Sequence, residues 1–178
     1  MTAGKLSVVA TPIGNLGDIT LRAIETLKEA EVIFCEDTRV TGKLLERLEI
    51  PKKELVRADA EKETAAATYV IECIEAGKQI VYVSDAGTPG VSDPGARLVA
   101  AVRAAHGQIE AVPGVSSVTT LLSIAGINTD RFSFLGFVPH KKGRETFFKN
   151  LADYEHPTIF FESPHRILKT LTSLQEYY

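Results

Sequence analysis

Short apolar runs alternate along this chain with longer segments whose apolar residues recur at helical spacing, and no other feature limits its fold as much. The runs occupy residues 6–10, 32–35, 55–57, 79–84 and 108–112. Each run has the length of a buried strand, and amphipathic helical segments separate them. Strands that alternate with helices predict an α/β fold with a largely parallel sheet.

Two helix starts are predicted from residues that suit helix caps. The first helix is expected to begin after Asp18 or Thr20, with Leu21 on its buried stripe. The fourth helix is expected to begin at Asp93 and Pro94, because Asp favours the N-cap and Pro the first helical position.

A second series of strands and helices follows residue 114. Its strands are predicted at residues 132–138 and 158–161, and helices follow both. We therefore expect two domains, residues 1–114 and residues 115–178. A sheet of two strands leaves both edges exposed, so either the second domain is incomplete in this chain or a partner covers it.

Charge and cysteine content narrow the classes of function. The 178 residues carry 20 basic and 23 acidic side chains, a net charge of −3, so nucleic acid would be bound by a local cationic patch only. Cys35 and Cys73 form no CxxC pair, which favours a reducing compartment. The apolar run near the N-terminus is too short for a signal peptide or a membrane span, so a cytoplasmic protein without a membrane partner is expected.

Two loops rich in glycine and proline are candidates for ligand binding. Residues 10–18 and residues 84–95 each follow a predicted strand, and backbone groups in such loops are free to bind a ligand. Gly90 and Gly95 have the spacing of a nucleotide triphosphate loop, but the required Lys-Ser/Thr does not follow them. A tight turn and a helix cap are the structural alternatives.

Charged residues follow two other strands. Residues 36–39 read Glu-Asp-Thr-Arg and residues 162–166 read Glu-Ser-Pro-His-Arg, and both lie where the strands of an open α/β sheet form their ligand crevice. Each string also fits the start of a capped helix. The four histidines lack metal-ligand spacing, so no metal site is predicted.

Taken together and in order, these strings resemble the tetrapyrrole methylase superfamily of S-adenosylmethionine enzymes. Within it they are similar to the branch that methylates the ribose 2′-hydroxyl of a cytidine in bacterial small-subunit ribosomal RNA. The strings that carry the resemblance are ATPIGNLGD at 10–18, EDTR at 36–39, SDAGTP at 84–89, SDPG at 92–95, PG at 113–114 and ESPHR at 162–166.

The resemblance implies two α/β domains with S-adenosylmethionine in the cleft between them, and a homodimer. By position it assigns the following residues to the cofactor: Pro12, Ile13, Asp85, Ala86, Gly87, Ser116, Ser117 and Ser163. The acceptor would be small-subunit ribosomal RNA or the assembled small subunit.

Two carboxylates are candidates for the catalytic base, and five cations are candidates for binding the RNA. Asp37 and Glu162 each follow a strand at the cleft edge, so either is a candidate for accepting the proton of the ribose hydroxyl. The RNA-binding candidates are Arg39, Lys43, Lys141, Lys142 and Arg144. Two alternatives remain, a tetrapyrrole or other small acceptor and a cofactor-binding fragment without catalysis.

Two departures separate this chain from the branch that it resembles. Branch members carry a histidine after the third strand, where this chain has Arg57-Ala58-Asp59-Ala60-Glu61. They also continue after the last helix, so a C-terminally truncated chain is expected.

Overall fold

Five parallel strands form the sheet that carries the first two thirds of the chain. The computed structural model describes residues 4–177. The strands are β1 (Lys5–Val9), β2 (Val32–Cys35), β3 (Glu54–Arg57), β4 (Gln79–Val83) and β5 (Gln108–Val112). Their order across the sheet is β3-β2-β4-β1-β5, and every neighbouring pair is parallel. The predicted α/β fold is confirmed, with strand limits that differ from the sequence prediction by one residue or less.

Helices connect these strands and cover both faces of the sheet. They are α1 (Leu21–Glu29), α2 (Thr38–Arg47), α3 (Glu63–Glu75) and α4 (Ala96–Ala104). In β4, Ile80 and Tyr82 pack with α3 and α4, whereas Val81 and Val83 pack with α1 and α2. Successive side chains of a strand point to opposite faces, so the helices form two layers around the sheet. Both faces of the strands are therefore apolar, as is usual for a covered parallel sheet.

Helix α1 begins after Thr20, one of the two predicted caps, but its buried stripe differs from the prediction. Thr20 is the N-cap of α1, and its side chain accepts a hydrogen bond from the Ala23 N–H at 3.0 Å. Leu21 is 80% exposed, so its assignment to the buried stripe was wrong. Ala23 and Leu27 are the buried residues of α1.

The predicted cap of α4 was also wrong. The helix begins at Ala96, and its N-cap is Gly95 with φ near 121°. The Glu63 carboxylate, from α3, accepts hydrogen bonds from the N–H groups of Gly95, Arg97 and Leu98 at 2.9, 2.7 and 3.2 Å. A side chain distant in sequence thus satisfies the backbone donors that Asp93 was expected to satisfy.

Contacts divide the chain between Ser117 and Val118 into two compact units. The domain limits 1–114 and 115–178 stay a prediction. Helix α5 (Ser117–Ile124) begins at the division. The second unit then contains β6 (Ser133–Phe137), α6 (Arg144–Asn150), β7 (Thr158–Phe161) and α7 (Ile167–Tyr177), with β6 and β7 parallel.

Some apolar side chains of the second unit are exposed to solvent. Phe148 and Ile159 are buried, whereas Leu168 and Leu171 of α7 are 78% and 50% exposed. None of the helices within residues 4–177 combines the length and the apolar composition needed to cross a membrane.

Candidate functional site

The loops after β1 and β4 are joined at the carboxyl edge of the first sheet. Thr11 and Gly87 exchange two backbone hydrogen bonds, of 2.9 Å and 3.0 Å. The Thr11 hydroxyl also donates to the carbonyl oxygen of Ser84, at 3.2 Å. Strands β1 and β4 are neighbours, and their connections leave toward opposite faces of the sheet, which makes this the topological switch point where such folds bind ligands.

Gly87 brings the two loops closer than another residue would allow. Its φ is near 83°, and a Cβ atom there would lie 3.3 Å from the Ile13 side chain. The neighbouring Thr88 hydroxyl donates to the carbonyl oxygen of Val115 at 3.0 Å, which ties the loop after β5 to the same place. The structure thus brings together the stretches that hold most of the cofactor candidates, residues 12–13, 85–87 and 115–117. Ser163 lies in the second unit, where its N–H donates to the Glu162 carboxylate.

The loop after β2 joins the site through a hydrogen bond to the loop after β4. The Asp37 N–H donates to the Asp85 carboxylate at 3.1 Å. Burial raises the pKa of Glu36, and the nearby negative charge of Asp85 raises it further. The loops after β1, β2, β4 and β5 therefore meet at one edge of the sheet, which carries several carboxylates.

Asp37 is the N-cap of α2 and is paired with Arg39. Its carboxylate accepts hydrogen bonds from the Arg39 N–H at 2.8 Å and from two nitrogens of the same guanidinium group. These hydrogen bonds hold the pKa of Asp37 well below its usual range. Asp37 is therefore ionised at any pH near neutral, and Arg39 orients it.

Two further carboxylates of this edge bind protons more readily than exposed ones do. Burial raises the pKa of Asp85 and of Asp93. Asp93 also receives a hydrogen bond from the Ser84 hydroxyl, which opposes the effect of burial. The part of the chain that the structure describes contains no group of three or more His, Cys, Asp or Glu side chains arranged to hold a metal ion.

A cavity of about 270 Å³ opens beside these loops. Pro12 and Leu16 from the loop after β1 form one side of it, and Val40 and Leu44 of α2 form another. Lys43, Arg47 and Asp85 add charges to the lining. The spacing of Lys43 and Arg47, one helical turn apart, is visible in the sequence, but only the fold shows that they face the loop after β1.

Glu162 lies in a buried ionic cluster of the second unit. Its side chain is 3% exposed and forms ion pairs with Arg166 at 2.6 Å and Arg144 at 3.3 Å. The Thr170 hydroxyl and the Ser163 N–H donate to it at 2.6 and 2.7 Å. Burial raises the pKa of Glu162, but these hydrogen bonds and the two guanidinium groups outweigh burial and hold the pKa below its usual value.

Arg144 is part of that cluster, so its placement does not fit the expected contact with RNA. It is 9% exposed, its guanidinium group donates to Thr170 at 2.7 Å, and the group lies 5.0 Å from the centre of the Phe148 ring. A guanidinium group held in this way is not free for a phosphate. Lys141 and Lys142, directly before it, are exposed.

Comparison with known proteins decides the family. Residues 5–178 match the sequence profile of the tetrapyrrole (corrin/porphyrin) methylases. The chain belongs to the tetrapyrrole methylase family. In the structure of this tetrapyrrole methylase, the strings that carried the resemblance lie in the loops at the carboxyl edge of the first sheet and after β7.

Two curated relatives of this tetrapyrrole methylase carry the name ribosomal RNA small subunit methyltransferase I. The relative from Synechocystis is 44% identical over 98% of this chain and 62% of its own length. The relative from Thermotoga maritima is 40% identical over 97% of this chain and 78% of its own length. The chain thus spans about three fifths of the Synechocystis protein.

A solved structure supports the fold independently. The uroporphyrin III C-methyltransferase from Thermus thermophilus superposes with a TM-score of 0.63. The match covers 96% of this chain and 76% of that chain, at 23% sequence identity. At that identity the likeness concerns the fold alone.

Proposed function

We propose that this chain belongs to an S-adenosylmethionine-dependent methyltransferase that acts on the ribose 2′-hydroxyl of a cytidine in small-subunit ribosomal RNA. The observation that carries the proposal is the similarity over nearly the whole chain, at 44% identity, to a protein named for small-subunit ribosomal RNA methylation. The junction of four loops at the sheet edge supports it, because this is where an α/β sheet of this kind binds its ligand.

The loops around Gly87 fit the proposed cofactor. The positive φ of Gly87 and its narrow gap to Ile13 let backbone approach a ligand where a Cβ atom would block it. We assign Pro12, Ile13 and residues 85–87 to binding the cofactor, with Ser116, Ser117 and Ser163 as further contacts. S-adenosylmethionine supplies a positively charged sulfonium whose methyl group is open to attack by the ribose oxygen.

Asp37 is the better placed of the two candidates for accepting the hydroxyl proton. It is ionised, bonded to Asp85 through its backbone and open at the sheet edge. A low pKa suffices, because the ribose oxygen becomes strongly acidic as the new bond to carbon forms. Glu162 is engaged by two arginines, Thr170 and Ser163, and these contacts favour a structural role for it.

Local cations would bind the RNA against the net negative charge of the chain. Lys43, Lys141 and Lys142 are exposed, and each phosphate contact contributes a slope of roughly −0.7 to the logarithmic salt dependence on single strands. Arg39 is paired with Asp37, but its side chain is exposed, and we propose that it also contacts the RNA. We further propose a homodimer in the cytoplasm, where the two free and buried cysteines stay reduced.

Methyl transfer to RNA tests this proposal. The protein at the full length of its relatives is incubated with S-adenosylmethionine labelled in the methyl group and with small-subunit RNA, either free or in assembled subunits. We expect label in a 2′-O-methylcytidine after digestion, and a large loss of turnover in Asp37→Asn. Label in a porphyrin or corrin acceptor alone would replace RNA with the small-acceptor alternative. Absence of transfer to every acceptor would contradict the proposal and favour a protein that binds the cofactor without catalysis.

A further inference from the structure

The cavity between α2 and the loop after β1 combines apolar and charged side chains from both elements. Four apolar side chains line it, namely Pro12, Leu16, Val40 and Leu44. Lys43 and Arg47 lie on its rim, one turn apart on α2. Asp85, from the loop assigned to the cofactor, closes another side. A flat apolar group and an anion attached to it would match these surfaces at once.

The two cations on the rim are available to a ligand. Within residues 4–177 the Lys43 and Arg47 side chains form no ion pair or hydrogen bond, and both are exposed. Arg39, on the same helix, is instead bound to Asp37. Two cations four residues apart repel each other slightly on an isolated helix, so their pairing beside a cavity favours an anionic ligand.

Asp85 instead favours a group that donates a hydrogen bond. One of its carboxylate oxygens accepts the Asp37 N–H, and the other has no hydrogen bond among the described residues. A carboxylate oxygen is the usual acceptor for the exocyclic amine of cytosine. The cavity thus presents an apolar wall for a base, an acceptor for an amine and two cations for a phosphate.

We propose that this cavity binds one nucleotide of the acceptor RNA strand, with an amine-bearing base against the apolar wall and its phosphate at Lys43 and Arg47. The proposal rests on the function proposed above, since it takes RNA as the acceptor. It adds a binding site with its own selectivity, in which Val40, Leu44 and Arg47 contact the substrate.

Nuclear magnetic resonance titration without cofactor tests the site directly. Cytidine 5′-monophosphate is added to the protein, and amide shifts are expected at residues around the cavity, such as Gly14, Leu44 and Asp85. Replacing both cations in Lys43→Ala/Arg47→Ala should weaken binding about tenfold or more, because two charge-assisted contacts are lost. Lys28→Ala/Arg103→Ala is the control. It removes the same charge from exposed positions in the last turns of α1 and α4, outside the cavity, and should change binding less than about twofold.

Two further experiments test which base binds and whether it binds in the cavity. Uridine 5′-monophosphate should bind about fivefold more weakly than the cytidine nucleotide, and Asp85→Asn should reduce that difference. Val40→Trp fills the cavity from an exposed position of α2, so it should block the nucleotide while the circular dichroism spectrum stays unchanged. Inorganic phosphate that binds as tightly as the nucleotide, shifts confined to other regions, or equal losses in the control pair would each overturn the proposal.

Methyl transfer distinguishes failure of this site from failure of the proposed function. If the unmodified enzyme methylates RNA and the Val40→Trp and Lys43→Ala/Arg47→Ala variants do so with unchanged KM, the cavity is not the RNA site although the function stands. If the unmodified enzyme methylates no RNA, the proposed function fails whatever the titration shows.

Discussion

The Glu63 carboxylate accepts a hydrogen bond from the backbone N–H of Gly95 at 2.9 Å, although 31 other residues separate the two in the chain. The same oxygen accepts the N–H groups of Arg97 and Leu98. Glu63 is 5% exposed, so α3 holds the first turn of α4 from within the packed helix layer. Gly95 ends the loop that begins at Ser84, and this contact therefore also anchors one end of the candidate cofactor loop.

Removal of the Glu63 carboxylate should destabilise the first unit. Glu63→Ala leaves buried N–H groups without an acceptor, and we expect a loss of about 2 to 3 kcal/mol in the free energy of unfolding. Glu63→Gln keeps an oxygen acceptor and should lose clearly less. Urea denaturation followed by circular dichroism measures both, with Glu72→Gln, an exposed position of α3, as the control. An unchanged midpoint in Glu63→Ala would show that water replaces the carboxylate.

A methyl group at Gly95 should be poorly tolerated. A Cβ atom there would overlap the buried Tyr82 ring, and the φ of 121° is unfavourable for other residues. We expect Gly95→Ala to cost about 3 kcal/mol, in the range of overpacked cores. Gly90 has φ near 81° with open space around it, so Gly90→Ala should cost only about 1 kcal/mol from backbone strain. Thermal unfolding of the two variants provides the comparison, and equal losses would contradict the role given to Tyr82.

Loss of the Glu162 charge should destabilise the second unit. Glu162→Gln leaves the buried guanidinium group of Arg144 and the half-buried one of Arg166 without their counter-charge, at an expected cost of about 3 kcal/mol. Glu145, which pairs with Lys149 on the surface of α6, is the control, and Glu145→Gln should leave the midpoint unchanged.

The stability difference between the unmodified chain and Glu162→Gln should depend on pH, because the pKa of Glu162 is lowered in the folded chain. The folded chain binds the proton less readily than the unfolded chain, so the stabilisation is complete above the ordinary glutamate pKa and is lost as the pH falls through the folded value. Unfolding midpoints of the unmodified chain and of Glu162→Gln should therefore converge in acid. A constant gap between pH 7 and pH 3 would contradict the ionic role.

Asp93 should show the opposite dependence. Burial raises its pKa, so the folded chain holds the proton more tightly, and its charge becomes unfavourable as the pH rises from the unfolded to the folded pKa. Asp93→Asn keeps an oxygen for Ser84 and removes the charge. Its unfolding temperature should exceed that of the unmodified chain at pH 7, and the gain should shrink below about pH 4. A gain that persists in acid would point to a cause other than ionisation.

The sequence alone determined the α/β fold and the order of its elements. Apolar runs short enough for strands and helical segments with one apolar stripe are local patterns, and burial of both faces of a parallel sheet requires them. The strings at residues 10–18, 36–39 and 84–95 also follow strands in the sequence, and parallel strands place the loops that follow them at one edge of the sheet.

Only the tertiary structure decided which charged side chains face each other. Asp93 has the local signature of a helix cap, yet Glu63 performs that function from another helix. Arg144 belongs to a basic surface string, yet it is buried against Glu162 because α7 brings Thr170 beside it. Lys43 and Arg47 lie one turn apart on α2, and only the fold places both beside a cavity. Such contacts join residues that are distant in the chain, and no local pattern of residues specifies them.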